Sequence, residues 1–83
     1  MADEAVKNGI QRLGRTIYAY ERLIEAYSIL RETYNEPSPI HYEYSGRVDD
    51  YKECLVSARR MFDYYRLIAV KRGILDKNGG EPK

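Results

Sequence analysis

With 83 residues, one cysteine (Cys54) and one histidine (His41), the chain makes a single domain with no intrachain disulfide and too few ligands for a Cys/His zinc site. Charged residues make up 33% of it, yet the net charge is only +1, so no overall field gathers nucleic acid or anionic membrane. No apolar stretch approaches the ~20 residues of a membrane span, and the acidic start Met1-Ala2-Asp3-Glu4-Ala5 lacks the build of a signal peptide, which points to the cytoplasm.

The first predicted element is a helix over about 3–35. Val6, Ile10, Leu13, Ile17, Tyr20, Ile24 and Tyr27 follow one another in alternating steps of 4 and 3, the heptad spacing of one helix face. The row meets Arg31, where Leu30 and Tyr34 carry it on, and Leu23 and Leu30 widen it along one flank. Asp3, or Asn8 with Gln11 in a capping box, is the candidate start. Gly9 and Gly14 weaken the opening turns by about 1 kcal/mol each relative to Ala, so the firm part is expected from about residue 10. Pro37 and Pro39 are read as the stop, because each lacks an amide hydrogen and turns its predecessor away from helical ψ.

A connection is expected over 36–46. Ile40, His41, Tyr42 and Tyr44 place one aliphatic side chain and three rings in a segment that faces solvent in most hairpins. They are candidate loop contacts for a partner; the plainer reading, which we favour, is that they fold back to close the end of the bundle. His41 beside Glu43 has neither a nucleophile nor a pocket near it in sequence, so acid–base chemistry is not expected there.

The second helix is expected over about 47–73, opening near Ser45 or Gly46 with Asp49 and Asp50 in its first turn. Its row is Tyr51, Leu55, Ala58, Phe62, Tyr65 and Ala69, again spaced by 4 and 3, with Cys54, Met61, Ile68 and Leu75 repeating every seven beside it. Cys54 is read as a buried, inert thiol. Gly73, after Lys71 and Arg72 and before Ile74, is a C-cap signature. The domain is thus 1–75, and 76–83 has nothing to bury and is read as a disordered tail.

The fold class implied is all-α: a two-helix antiparallel hairpin. One such pair cannot cover both of its apolar stripes, so a bundle completed by homodimerisation or by a partner is expected. Ile17, Ile24, Leu55 and Phe62 are the expected core. Nine tyrosines against one phenylalanine and no tryptophan suit contact surfaces, where a ring is dry and its hydroxyl wet.

Charge is segregated along the chain. Between 21 and 55, Glu21, Glu25, Glu32, Glu36, Glu43, Asp49, Asp50 and Glu53 outnumber Arg22, Arg31, Arg47 and Lys52, a net −4. Between 56 and 77, Arg59, Arg60, Arg66, Lys71, Arg72 and Lys77 outnumber Asp63 and Asp76, a net +4. An antiparallel hairpin is then acidic at its loop and basic at its open end, and two hairpins packed end for end would pair opposite charges.

The off-row rings Tyr18 and Tyr64, with Arg60 and Ile68, form the expected partner-binding set. Arg59, Arg66, Lys71 and Arg72 are candidate phosphate contacts in the rival reading, a nucleic-acid or nucleotide-binding module. No phosphate-cradling glycine loop, carboxylate pair or nucleophile–base pair stands out, so neither catalysis nor a cofactor nor a metal is expected. The function read from the sequence is a non-catalytic protein-binding or self-assembling module, with itself and a further protein as partners and no membrane. Its size and composition suit a small phage or mobile-element accessory protein that binds and inhibits a larger complex.

Overall fold

The computed structural model describes residues 2–34 and 38–75 and consists of two antiparallel helices, α1 (Asp3–Thr33) and α2 (Pro39–Lys71). Helices of 31 and 33 residues at about 1.5 Å per residue are rods of roughly 45–50 Å. The molecule measures 53 × 19 × 16 Å, the outline of a flat pair. Its radius of gyration is 17.0 Å, against about 12 Å for a compact domain of this length.

α2 starts earlier than its heptads suggest. Pro39 is its first residue, with Ser38 as N-cap, so His41, Tyr42 and Tyr44 stand on helix rather than in a loop. At the first helical position a proline loses nothing, because that amide has no intrahelical partner, and its fixed φ is already helical. Asp49 and Asp50 consequently lie in the third turn, and the first turn carries no acid. α1 starts at Asp3, as its expected bounds have it, but its capping differs: Ala2 is the N-cap, no side chain caps it, and Asn8 lies inside the helix. Of the connection, 35–37 lie outside the described residues, as do Met1 and the expected tail 76–83.

Each end of the pair is closed by its own device. At the open end Gly73 has φ +73°, the left-handed conformation that glycine adopts without strain. The Ile74 amide donates to the Ala69 carbonyl at 2.8 Å and the Gly73 amide to that of Val70 at 3.1 Å, which is a Schellman motif. The turn throws Ile74 and Leu75 back over α1, where both are buried with Val6 and Ala69 against Ile10 and Ile68. Leu75 therefore leaves the seven-residue row in which its spacing placed it. Arg72 seals this end through a 3.1 Å contact with Asp3.

Between the ends, the seam is covered from one side only. Leu55 and Ala58 are buried, as expected of the row, and so is Val48, three residues before Tyr51 in the same spacing, which the expected row does not include. Ile17, Ile24 and Phe62 are only half-buried, a correction to the expected core. A residue facing one neighbouring helix keeps an open flank, and among the described residues only Val6, Val48 and Ala69 reach complete burial. Tyr65 sits so closely on the backbone of α1 that a Cβ at Gly9 would stand 3.2 Å from its ring. Gly9 thus holds a docking position that the helix-propensity argument counts only as weakness.

Two glycines give opposite stability tests. Gly46 is an exposed position inside α2, and a methyl group added there would meet no atom within 4 Å. Gly46→Ala is therefore expected to raise unfolding free energy by about 0.5–1 kcal/mol. Gly73→Ala must hold a side chain at positive φ and is expected to cost about 1–2 kcal/mol. Denaturant unfolding of the two variants beside the parent reads both.

Candidate functional site

The seam has two unlike edges. Along one, Glu21 of α1 meets Arg59 of α2 at 3.7 Å. The heptad repeat puts Lys7, Gly14 and Ser28 on the same edge as Glu21, and Ser45, Lys52 and Arg66 on that of Arg59, so this edge is polar throughout. Along the other, Leu13, Thr16 and Tyr20 face Cys54, Ser57, Ala58 and Met61 across an open groove of about 440 Å³, with Glu53 at its rim. The repeat adds Leu23 and Leu30 on α1, and Ile40, Arg47 and Ile68 on α2. Leu30, Ile40 and Met61 are exposed, at 39%, 41% and 53%. The groove side is thus the more apolar broad face, and the other, although it exposes Tyr18, Tyr42 and Val56, the more polar one.

The floor of the apolar side, towards the loop, is a ladder of tyrosines. Tyr34, Tyr44, Tyr27, Tyr51 and Tyr20 follow one another with ring centroids 5.7–6.0 Å apart, alternating between the helices. Tyr20 and Cys54 are neighbours in the groove. Charge repulsion from the Cys54 sulfur, and a hydrogen bond that the Tyr20 hydroxyl donates to it, hold that hydroxyl above the ordinary phenol range, with burial and Tyr51 adding to the effect. Cys54 itself is exposed, contrary to the buried thiol expected, because nothing packs over its flank of the pair.

The expected site residues divide among several places. Tyr64 and Tyr18 are both exposed, at 60% and 65%, as off-row residues should be. They lie on opposite broad faces: Tyr64 is one turn beyond Arg60 and Met61 on the groove side, whereas Tyr18 is three residues before Glu21 on the polar side. Tyr18 carries the Arg22 guanidinium over its ring at 5.9 Å, and Tyr64 meets Tyr65 edge-on at 6.0 Å. Ile68 does not extend a Tyr64 patch, since it is half-buried against the Val6 and Ile74 cluster. Tyr18 is thus on the other broad face, and Ile68, although four residues from Tyr64 on α2, is drawn into the cluster at the open end.

The three rings expected as loop contacts take separate roles. His41 Nδ1–H donates to the carbonyl oxygens of Tyr34 at 2.8 Å and Arg31 at 3.1 Å, carbonyls at the end of α1. The histidine is thus a cap that ties the start of α2 to the end of α1. Tyr44 joins the ladder, and Tyr42 is 54% exposed, edge-on to His41. The plainer reading of this segment holds for His41 and Tyr44.

Nor do the candidate phosphate contacts form one platform. Arg59 reaches Glu21, Arg66 lies over the Phe62 ring at 5.5 Å, Arg72 reaches Asp3, and Lys71 projects from the exposed end of α2. Among the described residues no group of His, Cys, Asp and Glu is placed to hold a metal ion, and no helix is long and apolar enough to cross a membrane.

Replacing His41 with alanine removes the donor to two carbonyls and is expected to cost about 1–2 kcal/mol of stability, read by chemical denaturation. Ultraviolet difference titration should place the Tyr20 ionisation above the ordinary phenol range, and Cys54→Ala should bring it down. An unchanged titration curve in that variant contradicts the Tyr20–Cys54 pairing.

No protein-family model, curated protein or solved structure matches the chain.

Proposed function

We propose that the chain is a non-catalytic contact module, a helical hairpin that works by covering its apolar broad face with protein, including further copies of itself. The observation that carries this reading is the asymmetry of the seam. One edge is finished with charge, as Glu21 and Arg59 show, and the other leaves Leu30, Ile40, Met61 and Tyr64 in water beside an open groove. Contiguous apolar surface rimmed by polar residues marks interaction sites in soluble proteins. Its composition agrees, since tyrosine and methionine are enriched at protein interfaces. Three of the four candidate phosphate contacts meet other residues of the hairpin, which turns the weight of the argument away from nucleic acid.

Sedimentation at micromolar concentration tests the reading. The parent chain is expected to show a mass above its 9.7 kDa monomer. Met61→Asp, in the groove, is expected to restore the monomer, whereas Val56→Asp, 48% exposed and away from the groove, is expected to leave association unchanged. A parent chain that stays monomeric, folded and cooperative across that concentration range overturns the reading.

A further inference from the structure

The apolar face has a charge pattern that identifies what covers it. On that side of α2, Glu43, Asp50 and Glu53 outnumber Arg47, which pairs with Glu43 at 3.9 Å, in the half nearer the loop, and Arg60 and Lys71 lie in the half nearer the open end. α1 adds Arg12 near the open end. Such a face opposes like charges when a copy is laid on it in the same direction. Turned end for end, it opposes unlike ones.

We infer that two copies pack apolar face to apolar face about a two-fold axis crossing the hairpin at mid-length, α1 over the second α1 and α2 over the second α2, as an antiparallel four-helix bundle. This rests on the reading of the apolar face as the contact surface and specifies its occupant and orientation. A two-fold axis can relate two such faces in only two ways. If it ran along the hairpin, both basic ends would meet and both acidic ends would meet. With the axis across the hairpin, Glu43 of each copy stands over the region of Lys71 of the other, because the two lie on opposite sides of the middle of α2 (Pro39–Lys71) by similar distances. The interface is then isologous, the same patch serving both copies.

The available area is sufficient. An outline of 53 by 19 Å gives a broad face of roughly 1,000 Å², against about 800 Å² contributed by each partner to a standard interface. Small side chains let the second layer approach: Thr16, Ala19, Ala26 and Ser57 lie among Leu23, Leu30 and Met61 on this side. Cys54, one residue from the middle of α2, comes close to the axis and to its own copy.

Two measurements decide the arrangement. In the first, Cys54→Ser carries Ala5→Cys, an exposed position near the open end, and the spin-labelled dimer is measured by pulsed electron resonance. Ala5 is 13 residues from the middle of α1, so the end-for-end dimer separates the labels by about 40 Å, while the same-direction dimer brings them within about 20 Å. In the second, Lys71→Glu and Glu43→Lys are each expected to weaken self-association at least tenfold. Mixing them is expected to restore it as a heterodimer, since only the mixed pair opposes unlike charges at both ends. Circular dichroism confirms that each variant is helical. Labels about 40 Å apart with rescue on mixing support the arrangement. A dimer with labels within about 20 Å, or without rescue, overturns the arrangement and leaves the contact reading standing. A parent chain that does not associate overturns both.

Discussion

Each helix of this protein has one neighbour. In a four-helix bundle an apolar stripe wider than 100° is enclosed by two adjacent helices, but in a hairpin it meets one. From that single constraint follow the half-burial of Ile17, Ile24 and Phe62, the exposure of Cys54, and the concentration of complete burial at Val6, Val48 and Ala69. Val6 and Ala69 are enclosed because the chain itself supplies a third surface there, through Ile74 and Leu75. Where no such segment exists, the seam stays open on its apolar edge.

The two ends keep the pair in register. A seam with tyrosines at successive rungs is tolerant of slippage, because neighbouring layers are chemically alike. His41 removes that freedom at the loop end, where its ring nitrogen serves the last carbonyls of α1 and ties them to the first turn of α2. At the open end the Schellman turn, the buried Ile74 and the Asp3–Arg72 contact do the same. The Tyr65 ring against Gly9 adds a steric marker, since the equivalent positions one and two heptads on, Thr16 and Leu23, present a Cβ there.

Much of this was legible in the heptads. The alternation of 4 and 3 from Val6 to Tyr27 and from Tyr51 to Ala69 identifies both helices and the faces that meet, and Gly73 before Ile74 marks the end of the second. The start of α2 was not legible from Pro39 alone, because the same residue ends a helix from inside and begins one at the first position. That ambiguity also concealed His41 as a cap, since the sequence does not show which carbonyls its ring will meet. Tyr18 and Tyr64 were rightly placed off the seam, but deciding that they occupy opposite faces needs the handedness of the pairing. The Glu21–Arg59 contact supplies it, and a helical repeat read along one strand of sequence does not.

The choice of tyrosine along the groove floor follows from the same half-open geometry. A leucine ladder there would gain more from a covering layer and lose more without one, leaving a greasy stripe along half the hairpin before any partner arrived. A tyrosine ring contributes apolar area to the seam through the contacts from Tyr34 to Tyr20, while its hydroxyl remains hydrated at the open edge. The uncovered hairpin thus keeps hydrogen-bonding groups at its apolar side. When the face is covered, those hydroxyls must find partners or be left unpaired at a cost of about 1–3 kcal/mol each. That requirement favours one docking position over others of equal apolar area. Under the proposed contact role, the ladder trades binding strength for hydration of the open face and for a specified fit.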